Sequence, residues 1–350
     1  MRRFWPVNPA MTHDVQLLGI SNAIVDVLTH IDGSFLEKIG AVRGSMTLID
    51  EARAHELYES MGPTTEMSGG SVANSVAGFA ILGGSAAYIG RVRDDQFGEV
   101  FNHDMQTLGV DIRLERAPEG ASTARSYVLI EDGGQRTMQT YLGACTELAL
   151  ADINEATVRS PAIILIEGYV YDIAEGPALA AKAMQMAKAT GTQVALSLSD
   201  SFCVERHRDA FAAAVDNGVD IVVADEDEVN ALFETESFEA TLDALEGRTN
   251  LFAMTPSEKG SVLVHGEEQV IYPATHVDKV VDTTGAGDAY CAGFLYGWAG
   301  SESLEECARL GTLCATEVIQ RVGARIEPGI LERSGCQAVP PETTPGRQPA

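Results

Sequence analysis

Ile163-Ile-Leu-Ile166, Val194-Ala-Leu-Ser197 and Ile221-Val-Val-Ala224 are short apolar runs separated by Ala-rich stretches, Pro177 to Thr190 and Arg206 to Asn217. Short continuous apolar runs read as buried strands, and the longer stretches between them as helices. The series continues through Glu228 to Phe233 and Leu251-Phe-Ala-Met-Thr255. This alternation predicts an α/β fold with a parallel sheet and right-handed crossovers. Ligands of such sheets gather at the carboxyl ends of the strands.

The N-terminal part has a different texture. Val25 to Ile31, Ser45 to Ile49, Thr123 to Ile130 and Arg136 to Leu142 read as strands, with Asp132-Gly-Gly-Gln135 as a hairpin turn. These strands either form a small separate sheet covering the pocket or extend the main one. The 350 residues suffice for a large core, and 45% hydrophobic with 21% charged residues is a globular composition. Residues 1–14 read as a flexible extension. Pro6, Asn8 and Pro9 make it a poor signal peptide, and Met11 is a second candidate start. Residues 334–350, rich in Pro, Thr and Gly, read as a disordered tail. No stretch is long and apolar enough to cross a bilayer.

The formal net charge of −27 argues against a nucleic-acid surface, which needs clustered Lys and Arg. A pocket for an anionic nucleotide in such a chain must be made locally positive by backbone amides, a few Arg residues and a divalent metal. The cysteines at 145, 203, 291, 307, 314 and 336 have no zinc-like spacing and read as reduced thiols of a cytoplasmic protein.

Chemistry concentrates in Asp282-Thr-Thr-Gly-Ala-Gly-Asp288, preceded by a strand expected over Val277 to Asp282 and followed by a helix through Trp298. Gly285 and Gly287 form a turn whose amides, with those of the helix start, suit a phosphate. Asp288 beside them can accept the proton of an attacking alcohol; it can equally cap the helix. Tyr290 stands where a dinucleotide fingerprint has its third glycine, and no Gly-Lys-Ser/Thr follows, so neither of the commoner phosphate loops is present.

Upstream, Gly19-Ile-Ser-Asn-Ala-Ile-Val-Asp26 places Asn22 and Asp26 after a strand, where a carboxylate accepts hydrogen bonds from vicinal hydroxyls or simply closes a solvated turn. Ser68-Gly-Gly-Ser-Val-Ala-Asn-Ser75 reads as a glycine turn feeding a helix, with Ser71 as N-cap and Asn74 one turn inside. Close helix packing is the other use of such small residues.

Together these segments resemble the ribokinase-like (phosphofructokinase-B type) carbohydrate and nucleoside kinases, from about Val15 to Ile326. Asp282 to Phe294 matches the family's C-terminal signature. Asn22-Ala-Ile-Val-Asp26, Arg136-Thr-Met-Gln-Thr-Tyr-Leu-Gly-Ala144 and Ser197-Leu-Ser-Asp-Ser-Phe-Cys203 are closest to its adenosine-kinase branch. The resemblance implies a three-layer sandwich with a mainly parallel sheet and a β lid drawn from segments near 25–50 and 123–142, the kinase domain covering 15–333. It implies Asp288 as base, with the amides of Gly285, Ala286 and Gly287 as anion hole. Asp26, Gly70, Ser71, Asn74 and Asn22 would hold the acceptor sugar, Tyr169 and Ile24 would flank a nucleobase, and Arg136 would meet phosphate. Asp225, Glu228, Thr255 and Gly260 would border ATP, Glu228 holding the water shell of Mg²⁺, with a monovalent cation as a further candidate. Asp225 departs from the family's Asn. The implied reaction is ATP-dependent phosphorylation of a primary sugar hydroxyl, first the 5′-hydroxyl of adenosine, next a sugar such as ribose, fructose or a ketogluconate. A catalytically silent nucleoside-binding regulator is the rival of another class. Small-molecule partners are expected, without nucleic acid or membrane, in a monomer or homodimer.

Overall fold

The computed structural model describes residues 13–131, 135–256 and 260–335. Most of the N-terminal extension, the C-terminal tail from 336 and Asp132, Gly133 and Gly134 of the expected hairpin turn lie outside the described residues. In chain order the strands are β1 (Leu17–Ile20), β2 (Ile24–His30), β3 (Met46–Leu48), β4 (Thr65–Gly69), β5 (Ala86–Ile89), β6 (Asp111–Ile112) and β7 (Ala124–Ile130). They continue with β8 (Arg136–Tyr141), β9 (Ile163–Glu167), β10 (Gln193–Ser197), β11 (Ile221–Asp225), β12 (Leu251–Thr255), β13 (Ser261–His265) and β14 (Glu268–Tyr272).

The main sheet has the order β14-β13-β12-β11-β10-β9-β1-β5-β6. Neighbours from β6 to β12 run parallel, and β13 and β14 add an antiparallel edge. Its central strands β1, β5 and β9 to β12 are nearly continuous apolar runs because both faces are covered, whereas the edge strand β14 is largely exposed. Ile163, Leu165, Ile221, Val223, Leu251 and Ala253 enter a core shared with helices Ser71–Ile81, Ala286–Ala299 and Leu304–Val318. The alternate residues Ile164, Ile166, Val222, Ala224, Phe252 and Met254 enter a second core. Helices Gly176–Thr190, Ser201–Asn217, Glu226–Phe233 and Phe238–Leu245 close that side. The result is the expected α/β sandwich of helix, sheet and helix.

The N-terminal strands do not extend the main sheet but form a separate one, β3-β8-β7-β2-β4. Its β4 was not expected, because Thr65-Glu-Met-Ser-Gly69 lacks both length and apolar alternation. On β2 the two-residue period is clear. Val25 and Val27 are buried with Leu57 and Phe97 of the helices Glu51–Ser60 and Gln96–Thr107, while Ile24, Asp26 and Leu28 lie half-buried on the opposite face. Register pairs Asp26 with Ser126 of β7, and Ile130, four residues on, with Arg136 of β8. Asp26 and Arg136 therefore share one face.

One expected strand is corrected. Val277 to Asp282 forms no ladder; the N–H groups of Val281 and Asp282 instead donate to the Ile319 carbonyl at 2.8 and 3.3 Å. The β-branched residues carried a strand pattern, but the segment passes the end of a helix, which offers a single carbonyl and no edge.

Small residues let the helices carrying the site approach closely. A Cβ on Gly293 would fall 2.4 Å from the Leu310 carbonyl oxygen, and one on Gly78 would fall 2.8 Å from the Ala292 Cβ. Gly293→Val should therefore cost about 1–3 kcal/mol through overpacking, read as a lower urea midpoint at unchanged m-value.

Candidate active site

Asp288 is the third residue of the Ala286–Ala299 helix, whose N-cap is Gly285. Gly285 takes φ 75°, and a Cβ there would fall 2.5 Å from that of Ala324, so only glycine turns the chain here. Asp288 caps nothing. Its Oδ1 accepts from the Ser71 hydroxyl at 2.7 Å and its Oδ2 from the Asn74 amide at 3.1 Å. Ser71 is not the N-cap expected from the sequence: Gly70, at φ 97°, holds that place, and Ser71 opens the helix proper. That one-residue shift frees its hydroxyl for Asp288.

Asp26 lies near this pair. A Cβ on Gly69 would fall 2.3 Å from the Asp26 Oδ2, and one on Gly70 would fall 2.5 Å from the Asn22 carbonyl oxygen, so the two glycines seat Asp26 and the buried Asn22 against the start of the Ser71 helix. Burial pushes Asp26 up to about 6, opposed by Arg325 and reinforced by the charge of Asp288. Burial also pushes Asp288 up to about 6, against its bonds from Ser71 and Asn74 and the Arg325 charge. Arg325 is almost wholly buried and went unnoticed in the sequence, where it is one Arg after the last long helix. Glu167, at the end of β9, was missed as well. Its Oε2 accepts from the Val72 N–H at 3.2 Å, and burial pushes it up to about 7.

Within the glycine run, Asp282 is the organiser. It accepts from the N–H of Thr284 at 3.1 Å and of Gly323 at 3.4 Å, and pairs with Arg136 of β8 at 2.6 Å. Arg136 thus reaches from the small sheet to the glycine turn. Of the three amides expected there, that of Ala286 is already used, donating to the Thr283 carbonyl at 3.2 Å. A Cβ on Gly287 would meet nothing within 4 Å, so the helix mouth is open at that point.

The strand ends β11 and β12 put Asp225 directly beside Thr255. Asp225 caps the Glu226–Phe233 helix: its Oδ1 accepts from the Glu228 N–H at 2.8 Å, and Glu228 accepts from the Asp225 N–H at 2.9 Å. An Asp serves this cap as well as the Asn of the resembling family. Glu228 is buried and pushed up to about 8 by burial and then by Asp225, with Asp200 and Asp288 adding to it. Among the described residues no three His, Cys, Asp or Glu side chains converge on a metal. One carboxylate in a field of like charge fits Mg²⁺, which keeps most of its waters. Gly260, at φ 98°, turns against the backbone of Tyr272 and Ala274; Ser257, Glu258 and Lys259 of that loop lie outside the described residues. Tyr169 donates its hydroxyl to Asp200 at 2.7 Å and packs on the second core, half-buried. Ile24, on the Asp26 face of β2, is half-buried too.

The carboxylates set the sign of the stability dependence on pH. Asp26, Asp288, Glu167 and Glu228 are all raised, so their contribution is complete below about pH 4 and is lost as pH rises through about 6 to 8. The ligand-free chain should melt at higher temperature at pH 5.5 than at pH 8. Asp288→Asn should gain on the order of 2 kcal/mol at pH 8, and an unchanged melting temperature would contradict the burial assigned to it.

Residues 35–329 match the model of the pfkB family carbohydrate kinases. A crystal structure of adenosine kinase from Sinorhizobium meliloti is 44% identical, with a TM-score of 0.83 over 92% of this chain and 99% of that one. A probable sugar kinase from Rhizobium etli CFN 42 is 38% identical, with a TM-score of 0.84 over 93% and 99%. The ATP-dependent ribose-1-phosphate kinase of Halopiger xanaduensis is 28% identical over 83% of this chain and 93% of its own length.

Proposed function

The chain belongs to the pfkB family of carbohydrate kinases, an ATP-dependent nucleoside or sugar kinase with an alcohol as acceptor, and we propose that it phosphorylates the 5′-hydroxyl of adenosine with Asp288 as base. The observation that carries this reading is the Asp288 carboxylate, held by Ser71 and Asn74 at the mouth of a helix and near Asp26.

The acceptor hydroxyl approaches Asp288, which takes its proton as the new P–O bond forms and the γ-phosphate leaves ADP. Asp26, an acceptor-only group, binds the vicinal hydroxyls of the ribose, with Asn22 and the Gly70 turn beside it. The amides of Gly285 and Gly287 stabilise the charge on the transferring group. Arg136 is held by Asp282 within reach of that turn and supplies a planar donor fork to phosphate oxygens. Glu228 would hold the water shell of a Mg²⁺ ion bound with ATP, and that ion would supply charge neutralisation at the phosphates. Asp225 and Thr255, side by side, border the nucleotide.

Two observations favour a nucleoside over a free sugar. Tyr169 is pinned by Asp200, which leaves its ring as a fixed wall, and Ile24 offers an apolar surface on the Asp26 face. The S. meliloti structure, described as adenosine kinase, has higher identity than the R. etli probable sugar kinase. An acceptor that already carries phosphate, as for the H. xanaduensis relative, is disfavoured by the carboxylates around the acceptor position.

ADP release from Mg²⁺-ATP should be seen with adenosine, and not comparably with ribose, fructose, 2-keto-3-deoxygluconate or ribose 1-phosphate; turnover of a free sugar with none of adenosine would overturn the acceptor. Asp288→Asn should lose turnover by at least about 100-fold while still binding acceptor, and the rate should fall as pH drops through about 6, where Asp288 takes up its proton. Gly287→Val should lower kcat while leaving the fold intact, since its side chain would project toward the phosphate and not into the protein. Parental kcat in that variant would remove the amides from the mechanism.

A further inference from the structure

Asn74 stands between two groups of fixed hydrogen-bonding character. On one side is the Asp288 carboxylate, which accepts the Asn74 Nδ2 at 3.1 Å. On the other is Arg325, whose Nε donates to the Asn74 Oδ1 at 3.4 Å. A guanidinium only donates and an ionised carboxylate only accepts. The amide between them has a single orientation in which both contacts are made: carbonyl toward Arg325, NH₂ toward Asp288. Turned over, it would set donor against donor and acceptor against acceptor.

Arg325 is itself immobilised. Its Nη1 donates to the Asp104 Oδ2 at 3.0 Å, and its Nη2 donates to the Ser68 carbonyl and to the Ser68 Oγ at 2.7 Å. Asp104 in turn accepts the Ser68 N–H at 2.9 Å. The guanidinium so ties together the Gln96–Thr107 helix, the last turn of the small sheet at β4 and the Ser71 helix. The charged groups facing it are Asp104, Asp26 and Asp288, with the Met105 sulfur as the remaining neighbour. Asp288 meets Ser71, Asn74 and the Arg325 charge, and its own charge is felt by Asp26, Glu167 and Glu228.

We propose that Arg325 is a positioning residue of the phosphoryl-transfer site, acting through Asn74: by holding the amide carbonyl it presents the amide NH₂ to Asp288 and aims that carboxylate at the acceptor hydroxyl. This rests on Asp288 as base. Arg325 touches no substrate; its donors are spent on Asp104, Ser68 and Asn74. Its loss leaves Asn74 free to rotate, and an amide that turns its oxygen to Asp288 repels the ionised form.

Arg325→Lys keeps a buried cation but cannot span Asp104, Ser68 and Asn74 at once. It should fold with a melting temperature within a few degrees of the parent, lose about tenfold in kcat, change acceptor KM less than threefold and move the acid limb of the rate profile to higher pH. Arg325→Met should lose more. In an Asn74→Ala background either change should cost less than twofold, because the relay is already cut. Parental kcat in Arg325→Lys with an unmoved acid limb, or an undiminished effect in the Asn74→Ala background, would overturn the proposal. A direct reading comes from the unmutated chain: the ¹⁵N-detected side-chain NH₂ of Asn74 should be exchange-protected and should shift as Asp288 titrates. An Asn74 amide indifferent to that titration would overturn the proposal even if every Arg325 variant fails to fold. Active Asp288→Asn would overturn the base assignment and this proposal with it, whereas inactive Asp288→Asn beside parental Arg325→Lys would overturn this proposal alone.

Discussion

The site depends on one contact made across the length of the chain: a carboxylate at the start of the Ala286 helix held by a hydroxyl at the start of the Ser71 helix, 217 residues away in sequence. For both helix mouths to meet, the two helices must pack closely, and Gly78 against Ala292 is where they do so. The Ser71 helix is seated in turn on β1, where Gly19 leaves room for Val72 and Val76. The Glu167 carboxylate takes one of the helix's orphan N–H groups, that of Val72. Helix packing, strand order and capping thus converge on a hydrogen bond 2.7 Å long, and a shift of either helix mouth would unmake it.

Holding that carboxylate in a buried place works against stability. Asp26, Glu167, Asp225, Glu228 and Asp288 all have raised pKa values in a chain already carrying a net charge of −27. Two guanidiniums oppose them, and the fold uses them differently. Arg325 is saturated with protein acceptors and acts as a fixed internal charge. Among the described residues Arg136 pairs with the carboxylate of Asp282 and its Nε has no hydrogen-bond partner, so it retains a donor. On the proposed reading the burial of Asp288 is useful, since an Asp raised toward neutrality is a better base than one at its ordinary pKa.

The framework was legible in the sequence because the main sheet is buried on both faces. Continuous apolar runs such as Ile163 to Ile166 and Leu251 to Thr255 admit few other readings, and their observed bounds differ by a residue or so. Val277 to Asp282 misled because β-branched residues favour extended backbone whether or not a neighbouring strand is present. Thr65 to Gly69 was passed over for the opposite reason: its pairing with β2 supplies what its composition does not. In the site, Asp288, Asp26 and Asn74 could be singled out by motif, but not what each touches. Ser71 looked like a cap until the backbone placed Gly70 there. Arg325 carried no local signal at all, because its role comes from three elements that only the tertiary fold brings together.

The same geometry constrains the acceptor by charge before shape is considered. Asp26 and Asp288 are acceptor-only when ionised, and each raises the energy of the other's ionised form. A neutral molecule bearing several hydroxyls answers both with donors and lowers that repulsion on binding. An anionic acceptor would add a third negative charge where Arg325 has no donor to spare. Arg136 is held by Asp282 at the glycine turn, and on the proposed reading its remaining donors serve the transferring phosphate, not the acceptor. The donor side can bring its own cation; the acceptor side cannot. On the proposed reading electrostatics favours a neutral polyol as acceptor, and Tyr169, held by Asp200, is the candidate wall for a flat ring.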